Sequence, residues 1–175
     1  IEIIKLLLAN DKLDVNLLCK IEEKEKERTI IEMSRLHLAM DNKQDIIIEI
    51  FLSQKKQNQI NKIDVNKRSI KKVIGHEIEV FEKTSLYMSI EKRDMGAIKA
   101  LLASPDIDVN DKSFHSLDNK IIEEKTALHL AVEIDDIEIV KLLLEKNDID
   151  INIEDLEGRK PIDYSSNDEI RLLLS

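Results

Sequence analysis

A short phrase, Asp-Val-Asn or Asp-Ile-Asn, recurs along this chain and constrains its fold more than any other feature. Its four copies end at Asn16, Asn66, Asn110 and Asn152. A second phrase, Leu-His-Leu-Ala or a degraded form of it, begins at Leu36, Leu86, Leu128 and Ile162. Self-similarity at a period of about 20 to 50 residues is typical of stacked structural repeats. The sequence therefore predicts a repeat fold.

Apolar residues at helical spacing lie between the two phrases. The pattern is clearest in residues 137–144 and recurs in residues 2–8 and 95–102, which predicts a helix in each segment. A unit of two short helices followed by an Asx-containing turn can bury its apolar face only against neighbouring units. The predicted architecture is an all-α solenoid.

One unit matches a known consensus. Residues 126–131 (Thr-Ala-Leu-His-Leu-Ala), 138–144 and Asp150-Ile151-Asn152 closely resemble the ankyrin repeat over roughly 30 residues. The resemblance covers nearly the whole chain and implies a single ankyrin-repeat domain, 1–175, of about four to five units. The expected units are 1–27 (partial), 28–66, 67–110, 111–152 and 153–175, which is a shortened C-terminal unit.

The resemblance also assigns structural roles to individual residues. Thr84 and Thr126 stand where a hydroxyl can cap the first helix of a unit, and Pro161 stands at a helix start. His37 and His129 are expected to tie adjacent hairpins together through their ring nitrogens. The left-handed position that the family usually gives to glycine after the first helix is held by Lys43, Arg93 or Asp135, at a cost of up to about 1 kcal/mol each.

The connections between units depart from the family. The interval from Asn152 to Ile162 has the family's length of 10 residues, whereas those from Asn16 to Leu36 and from Asn66 to Leu86 are 20. That from Asn110 to Leu128 is 18. β-branched residues flank Gly75 in 69–81, which predicts a long β-hairpin. Residues 114–122, with a turn signal at Asp118-Asn119, and 20–31, with a charged tip, are expected to form two more.

We expect the three long hairpins to project and to pair or stack side by side into a sheet-like wall, with neighbouring strands extended in parallel. Their apolar residues would otherwise lie in water, which is typical of an interaction site. These residues are Ile70, Val73, Ile74, Ile78, Val80, Phe81, Phe114, Leu117, Ile121 and Ile122. The alternative is that they only cover the helices beneath them. A further insertion, 53–62, is expected to extend a helix end or a polar loop.

Composition limits the partners. The chain is 42% hydrophobic and 36% charged with a net charge of -9, and it has no apolar run near the roughly 20 residues of a membrane span. Negative charge argues against nucleic acid and favours a neutral or basic protein partner. Cys19 is the single cysteine, so no internal disulfide can form, which is typical of intracellular proteins. We expect a cytoplasmic protein, with the nucleus as an alternative location.

The sequence does not predict an enzyme, a cofactor or a metal site. The four histidines are scattered, and the serines and Cys19 have no nucleophile context. The segment 148–159 begins like a calcium loop, but Ile153 and Arg159 replace the glycine and glutamate that such a loop requires, so we interpret it as a turn. The mixed-charge run 22–28 is interpreted as a solvated surface, with a charged partner as the alternative.

The resemblance implies an interaction scaffold or adaptor that binds a partner protein on its concave face, made by hairpins and first helices. The matching positions are Met33, Asp41, Asn42, Lys83, Glu91, Lys92, Lys125, Glu133, Ile134 and Arg159. Because the chain opens inside a helix at Ile1, the alternative is a regulatory or targeting segment of a larger enzyme, truncated at its N-terminus. We expect a monomer, with self-association through the hairpins as the alternative.

Overall fold

A computed structural model describes residues 19–24, 28–42, 44, 48, 52 and 64–175 of the 175-residue chain. Three expectations lie outside the described residues. They are the helix at residues 2–8, the backbone conformation of Lys43 and the insertion at 53–62.

Six strands form one antiparallel sheet in the described part of the chain, in sequence order. They are β1 (Cys19–Lys24), β2 (Arg28–Met33), β3 (Ser69–Ile74), β4 (Ile78–Lys83), β5 (Lys112–Leu117) and β6 (Lys120–Thr126). Consecutive strands make the three predicted hairpins, and the hairpins also pair with each other through β2 with β3 and β4 with β5. The prediction of a sheet-like wall is confirmed, and a purely all-α description is too narrow.

The expected parallel extension of neighbouring strands is wrong. β2 pairs with β3, and β4 with β5, in antiparallel orientation. The second strand of each hairpin runs back toward the helix that follows it, whereas the first strand of the next hairpin runs outward from the preceding turn. Adjacent hairpins therefore meet through strands of opposite direction.

The helices whose bounds lie within residues 28–42 and 64–175 follow the predicted order. They are α1 (Arg35–Asp41), α2 (Ser85–Glu91), α3 (Met95–Leu102), α4 (Ala127–Glu133), α5 (Ile137–Leu144) and α6 (Asp168–Leu173), with a 3-10 turn at Pro161–Tyr164 before α6. The predicted caps are confirmed, since the hydroxyls of Thr84 and Thr126 accept hydrogen bonds from the backbone N–H groups of Tyr87 and His129. The 3-10 turn is the shortened first helix expected in the last unit.

The core lies between the helices of successive units. The first residue of each Leu-His-Leu-Ala phrase is fully buried at Leu36, Leu86 and Leu128. The second helices contribute residues at helical spacing, such as Ile98 and Leu101 in α3. Each apolar stripe is thus covered by its neighbours along the stack, as expected for a solenoid.

Two charged residues hold left-handed conformations after the first helices. Arg93 has φ 52° and Asp135 has φ 56°, so the prediction that these residues replace glycine is confirmed. The next residue in each case caps the second helix. The side chain of Asp94 accepts a hydrogen bond from the backbone N–H of Ala97, and that of Asp136 accepts one from the backbone N–H of Ile139. The tight turn between paired helices therefore forms without glycine.

Side chains of the Asp-Val-Asn phrase link each unit to the next. Asn66 donates from Nδ2 to the Asp106 carbonyl at 2.7 Å and accepts from the Asp108 N–H at 2.8 Å. Asn110 repeats both bonds with Asp148 and Asp150, at 2.7 and 2.9 Å. The recurrence of asparagine is explained by this need for one donor and one acceptor on the same side chain.

The motif histidines also connect neighbouring units. The Nδ1 atom of His129 lies 2.7 Å from the Thr126 hydroxyl, and its Nε2 atom lies 3.2 Å from the Arg159 carbonyl oxygen in the next unit's hairpin. The Nε2 atom of His37 lies 3.2 Å from the Ser85 hydroxyl at the start of α2. The structural role predicted for both residues is confirmed, although His37 reaches the next helix rather than the next hairpin.

Candidate protein-interaction surface

The sheet has two faces with different surroundings. Side chains alternate between faces along each strand, and the register across strands shows which residues share a face. The helix-side face carries Phe81, Lys83, His115 and Lys125, which lie next to the ends of α2 and α4. The outer face, directed away from these helices, carries Ile30, Glu32, Ile70, Lys72, Val80, Glu82, Ser116 and Ile121.

A repeated ion pair joins the helix-side face to the first helices. At the end of β4, Lys83 Nζ donates to both carboxylate oxygens of Glu91, at 2.6 and 2.8 Å. At the end of β6, Lys125 Nζ donates to both oxygens of Glu133, at 2.9 and 2.8 Å. The two pairs have the same spacing of eight residues, so the same junction of strand and helix is formed in successive units.

Lys125 is the more enclosed of the two lysines, with a side chain only 7% exposed. Its Nζ atom also lies 2.7 Å from Glu123 and 4.8 Å from the centre of the Tyr164 ring. Burial opposes the charge, but hydrogen bonds to Glu123 and Glu133 outweigh it and raise the pKa of Lys125 above its usual value. Lys125 therefore stays charged and fixes this part of the surface.

Tyr164 organises the C-terminal end of the surface. Its hydroxyl donates to Asp155 at 2.5 Å, and the Arg159 guanidinium lies 4.7 Å from its ring centre. Burial and the hydrogen bond to Asp155 raise the pKa of Tyr164. Although burial opposes its charge, Asp155 accepts bonds from Tyr164 and from the Arg159 backbone and side chain, which lower its pKa. The cationic groups of Arg159 and Lys125 thus both lie against the ring of Tyr164.

A small cavity of about 160 Å³ opens on the helix-side face, between β4 and α2 on one side and β5 and β6 on the other. The rings of Phe81 and His115 stack there with their centres 4.2 Å apart, and Tyr87 forms part of the wall. Burial raises the pKa of Tyr87, and the negative charges of Glu123 and other nearby carboxylates raise it further. Tyr87 therefore presents a neutral aromatic ring and a hydroxyl.

The remaining predicted site residues lie at the ends of elements. Met33 ends β2 and is partly buried against the core, as is Ile134, which follows α4. Asp41 is the last residue of α1. Asn42, which is exposed, donates from its side chain to the Leu38 carbonyl, and Lys92 caps the end of α2.

The structure brings some of the ten predicted residues into contact with one another. Lys83 contacts Glu91, Lys125 contacts Glu133, and Lys125 and Arg159 meet at Tyr164. Sequence reasoning missed Tyr87, Glu123 and Tyr164. A signal existed for the two tyrosines, because Tyr87 replaces the motif histidine and Tyr164 is the aromatic residue of the degraded last motif.

In the part of the chain that the structure describes, no group of three or more histidine, cysteine, aspartate or glutamate residues is arranged to hold a metal ion. No helix among residues 28–42 and 64–175 is long and apolar enough to cross a membrane.

Comparison with protein families agrees with the geometry. A family model described as ankyrin repeats (3 copies) matches residues 62–155 and 86–175. The chain belongs to the ankyrin repeat family. Ankyrin repeats are generally protein-protein interaction modules and are typically non-catalytic, and the matched region accounts for about three repeats. A search of curated proteins found no match.

Proposed function

We propose that this ankyrin repeat protein is an interaction scaffold or adaptor that binds a partner protein on a concave surface. The surface consists of the helix-side face of the sheet and the ends of the first helices α1, α2 and α4. We also propose that the protein has about four to five repeat units, lies inside the cell and exists in solution as a single copy of the chain.

The repeated Lys83–Glu91 and Lys125–Glu133 junctions carry this proposal. Each lysine contacts both oxygens of its glutamate, so strand and helix are held at the same relative position in two successive units. A surface that is fixed before binding loses little conformational entropy when a partner arrives. The six-stranded sheet adds to this rigidity, because the hairpins support one another through backbone hydrogen bonds.

The predicted residues divide into two roles within the proposal. Asn42, Glu91 and Arg159 are exposed enough to touch a partner directly. Lys125 and Ile134 are mostly covered, so they support the surface from below. Phe81 and Tyr87, which line the small cavity, supply apolar contact area next to Glu91, and aromatic residues are enriched where binding energy concentrates.

The test uses affinity capture to obtain a partner, followed by measured dissociation constants with purified proteins. Shortening the 70–81 hairpin to the usual ankyrin length is expected to weaken binding at least about tenfold, since a central part of the surface is lost. Glu91→Gln is a milder change that leaves the sheet intact. Glu138→Gln breaks an exposed ion pair with Lys99 on the second helices and serves as its matched control.

Circular dichroism and urea unfolding would show whether the shortened protein remains folded. A folded, shortened protein with wild-type affinity would contradict the proposal for the hairpins. Equal effects of Glu91→Gln and Glu138→Gln would contradict the assignment of the concave surface, even if the shortened protein failed to fold.

A further inference from the structure

The sheet ends at β6, which pairs on one side with β5. In the part of the chain that the structure describes, no strand lies on the other side of β6. Exposure changes along this strand, since Lys120, Ile121 and Ile122 are exposed whereas Lys125 and Thr126 are buried. Ile121 and Ile122 are each 45% exposed. The tip half of β6 is therefore an open edge that carries two large apolar side chains.

The edge is open because the loop that follows α5 is short. The interval from residue 152 to 162 has 10 residues, whereas the corresponding intervals of the three long hairpins have 18 or 20. Its turn closes where the Asp155 N–H donates to the Arg159 carbonyl at 2.9 Å. This turn and Tyr164 lie beside the base of β6, where Lys125 Nζ is 4.8 Å from the centre of the Tyr164 ring. The loop therefore does not extend alongside the tip of β6.

The equivalent edge is filled in both preceding hairpins. β2 and β4 are the second strands of those hairpins, and each pairs with the first strand of the next hairpin in antiparallel orientation. Ile30 of β2 lies opposite Lys72, and Val80 of β4 lies opposite Ser116. Ile121 continues the same row, because it lies on the other side of Ser116. β6 thus repeats a position at which the fold twice pairs an antiparallel strand, with a polar side chain opposite the apolar one.

The backbone of Ile121 is directed to the open side. Both residues of the Asp118-Asn119 turn have positive φ, as in the two-residue turns that join antiparallel strands. Such a turn is closed by a hydrogen bond between its flanking residues, which are Leu117 and Lys120. Hydrogen-bonded and non-hydrogen-bonded pairs alternate along an antiparallel ladder. The next pair, Ser116 with Ile121, therefore leaves the N–H and C=O of Ile121 pointing away from β5.

We propose that the open edge of β6 is a second binding site, which takes up an extended segment of a partner protein as an additional antiparallel strand. Backbone hydrogen bonds supply the affinity of such a contact, and alternate side chains supply its selectivity. Residues 120–124 span about 17 Å, which is the length of an ordinary strand. As in β3 and β5, the segment has a polar residue opposite Ile121 and an apolar residue two positions away.

A second copy of the chain fits this edge less well than an extended segment does. If two copies paired through Ile121 and Ile122, the Asp118-Asn119 turn of one would lie beside the base of β6 in the other. Tyr164 and the turn at 155–159 already occupy that base, whereas an extended segment can leave the sheet before reaching it. The bulge in β6 increases the twist of the edge, which opposes pairing along its whole length. The contact is therefore confined to the tip half.

The probe is a fluorescein-labelled peptide with the sequence of β3, Ser-Ile-Lys-Lys-Val-Ile, because β3 fills the equivalent edge beside β2. Two matched peptides carry N-methyl groups on alternate backbone nitrogens, one at the odd positions and the other at the even positions. Both keep the side chains and the charge, but each has one hydrogen-bonding edge blocked. Fluorescence anisotropy with the full chain should show binding of the unmodified peptide and of one methylated peptide. The other should bind at least about tenfold more weakly.

The matched variants change Ile121 itself. Ile121→Pro removes the outward N–H and leaves the bonds to β5, because proline is tolerated where the N–H faces away from the ladder. It is expected to weaken binding of the unmodified peptide at least about tenfold. Ile121→Val keeps the N–H and a β-branched side chain, so its affinity should stay within about threefold of the wild type. Circular dichroism shows whether both variants are folded.

Hydrogen exchange measured by NMR locates the bound peptide. Saturating peptide should slow exchange of the Ile121 amide at least about tenfold, because that N–H becomes hydrogen-bonded. Slower exchange in β1 instead of at Ile121 would place the added strand at the opposite edge and overturn the proposal. This measurement and the methylated peptides use the unaltered protein, so they decide the question even if Ile121→Pro fails to fold.

Three other results would overturn the proposal. They are no binding of the unmodified peptide, equal affinities of the two methylated peptides, and equal affinities of Ile121→Pro and Ile121→Val. Light scattering that shows a dimer lost in Ile121→Pro would also overturn it, because the occupant would then be a second copy. The peptide assay needs no partner of the concave surface, so the two proposed surfaces can fail separately.

Discussion

Replacing His37 with glutamine should remove a large part of the protein's sensitivity to mild acid. The His37 ring is fully buried, with Nδ1 2.6 Å from the Ser34 hydroxyl and Nε2 3.2 Å from the Ser85 hydroxyl. Burial, followed by the positive charge of Lys67, lowers the pKa of His37 from 6.5 to about 4. The folded protein therefore holds this ring neutral under conditions in which an unfolded chain protonates it.

The sign of the effect follows from proton binding. Between pH 6.5 and 4 the unfolded state binds a proton that the folded state does not, so the free energy of unfolding falls as the pH falls. With a pKa of about 4 in the folded state, the loss between pH 7 and pH 5 is about 2 kcal/mol. His37→Gln keeps a polar side chain but cannot titrate, so it should lose about 2 kcal/mol less over this interval than the wild type.

Urea unfolding followed by circular dichroism at the two pH values measures this difference directly. Only the change with pH is compared, because glutamine is expected to lower stability at both pH values by altering the hydrogen bonds. His76→Gln, at the exposed turn of the second hairpin, controls for the removal of any histidine. The reasoning is wrong if His37→Gln loses as much stability between pH 7 and pH 5 as the wild type does.

Two further predictions concern the contacts between units. Leu128→Asp places a charge in a fully buried position and should lower stability by about 4 kcal/mol or more; in a thermal melt its neighbours should unfold with it, whereas Leu172→Asp, at a side chain 76% exposed, should change little. Asn110→Ala removes the bonds to Asp148 and Asp150 and should cost about 2 kcal/mol in urea unfolding; a loss below about 0.5 kcal/mol would contradict the role of the asparagine ladder.

Much of the fold could be predicted from the sequence because its signals are local. The caps at Thr84 and Thr126 and the left-handed residues Arg93 and Asp135 depend on conformations of a few neighbouring residues. The hairpins were evident from β-branched residues around Gly75 and from the turn at Asp118-Asn119, where both residues have positive φ. Such local signals can be recognised in the sequence without knowing how the repeat units pack against one another.

The direction and register of the sheet could not be predicted in the same way. Pairing of β2 with β3 depends on how two hairpins 36 or more residues apart are presented by the stack. The bulge at His115/Ser116 shifts the partners along β6, so alternation alone does not fix its faces. The residues of the concave surface remain a prediction. Lys83 and Glu91 are eight residues apart in the sequence, as are Lys125 and Glu133, so the two repeated pairs could have been noticed there.

The pairing of β2 with β3 and of β4 with β5 has a mechanical consequence. In a stack held together by side-chain packing alone, neighbouring units can tilt apart on one side with little resistance, so the whole array bends elastically. Here a backbone ladder runs along one side of the stack, so opening that side requires the hydrogen bonds of a whole strand pair to separate together. The molecule should therefore be stiff against bending away from the sheet and more compliant in the opposite direction.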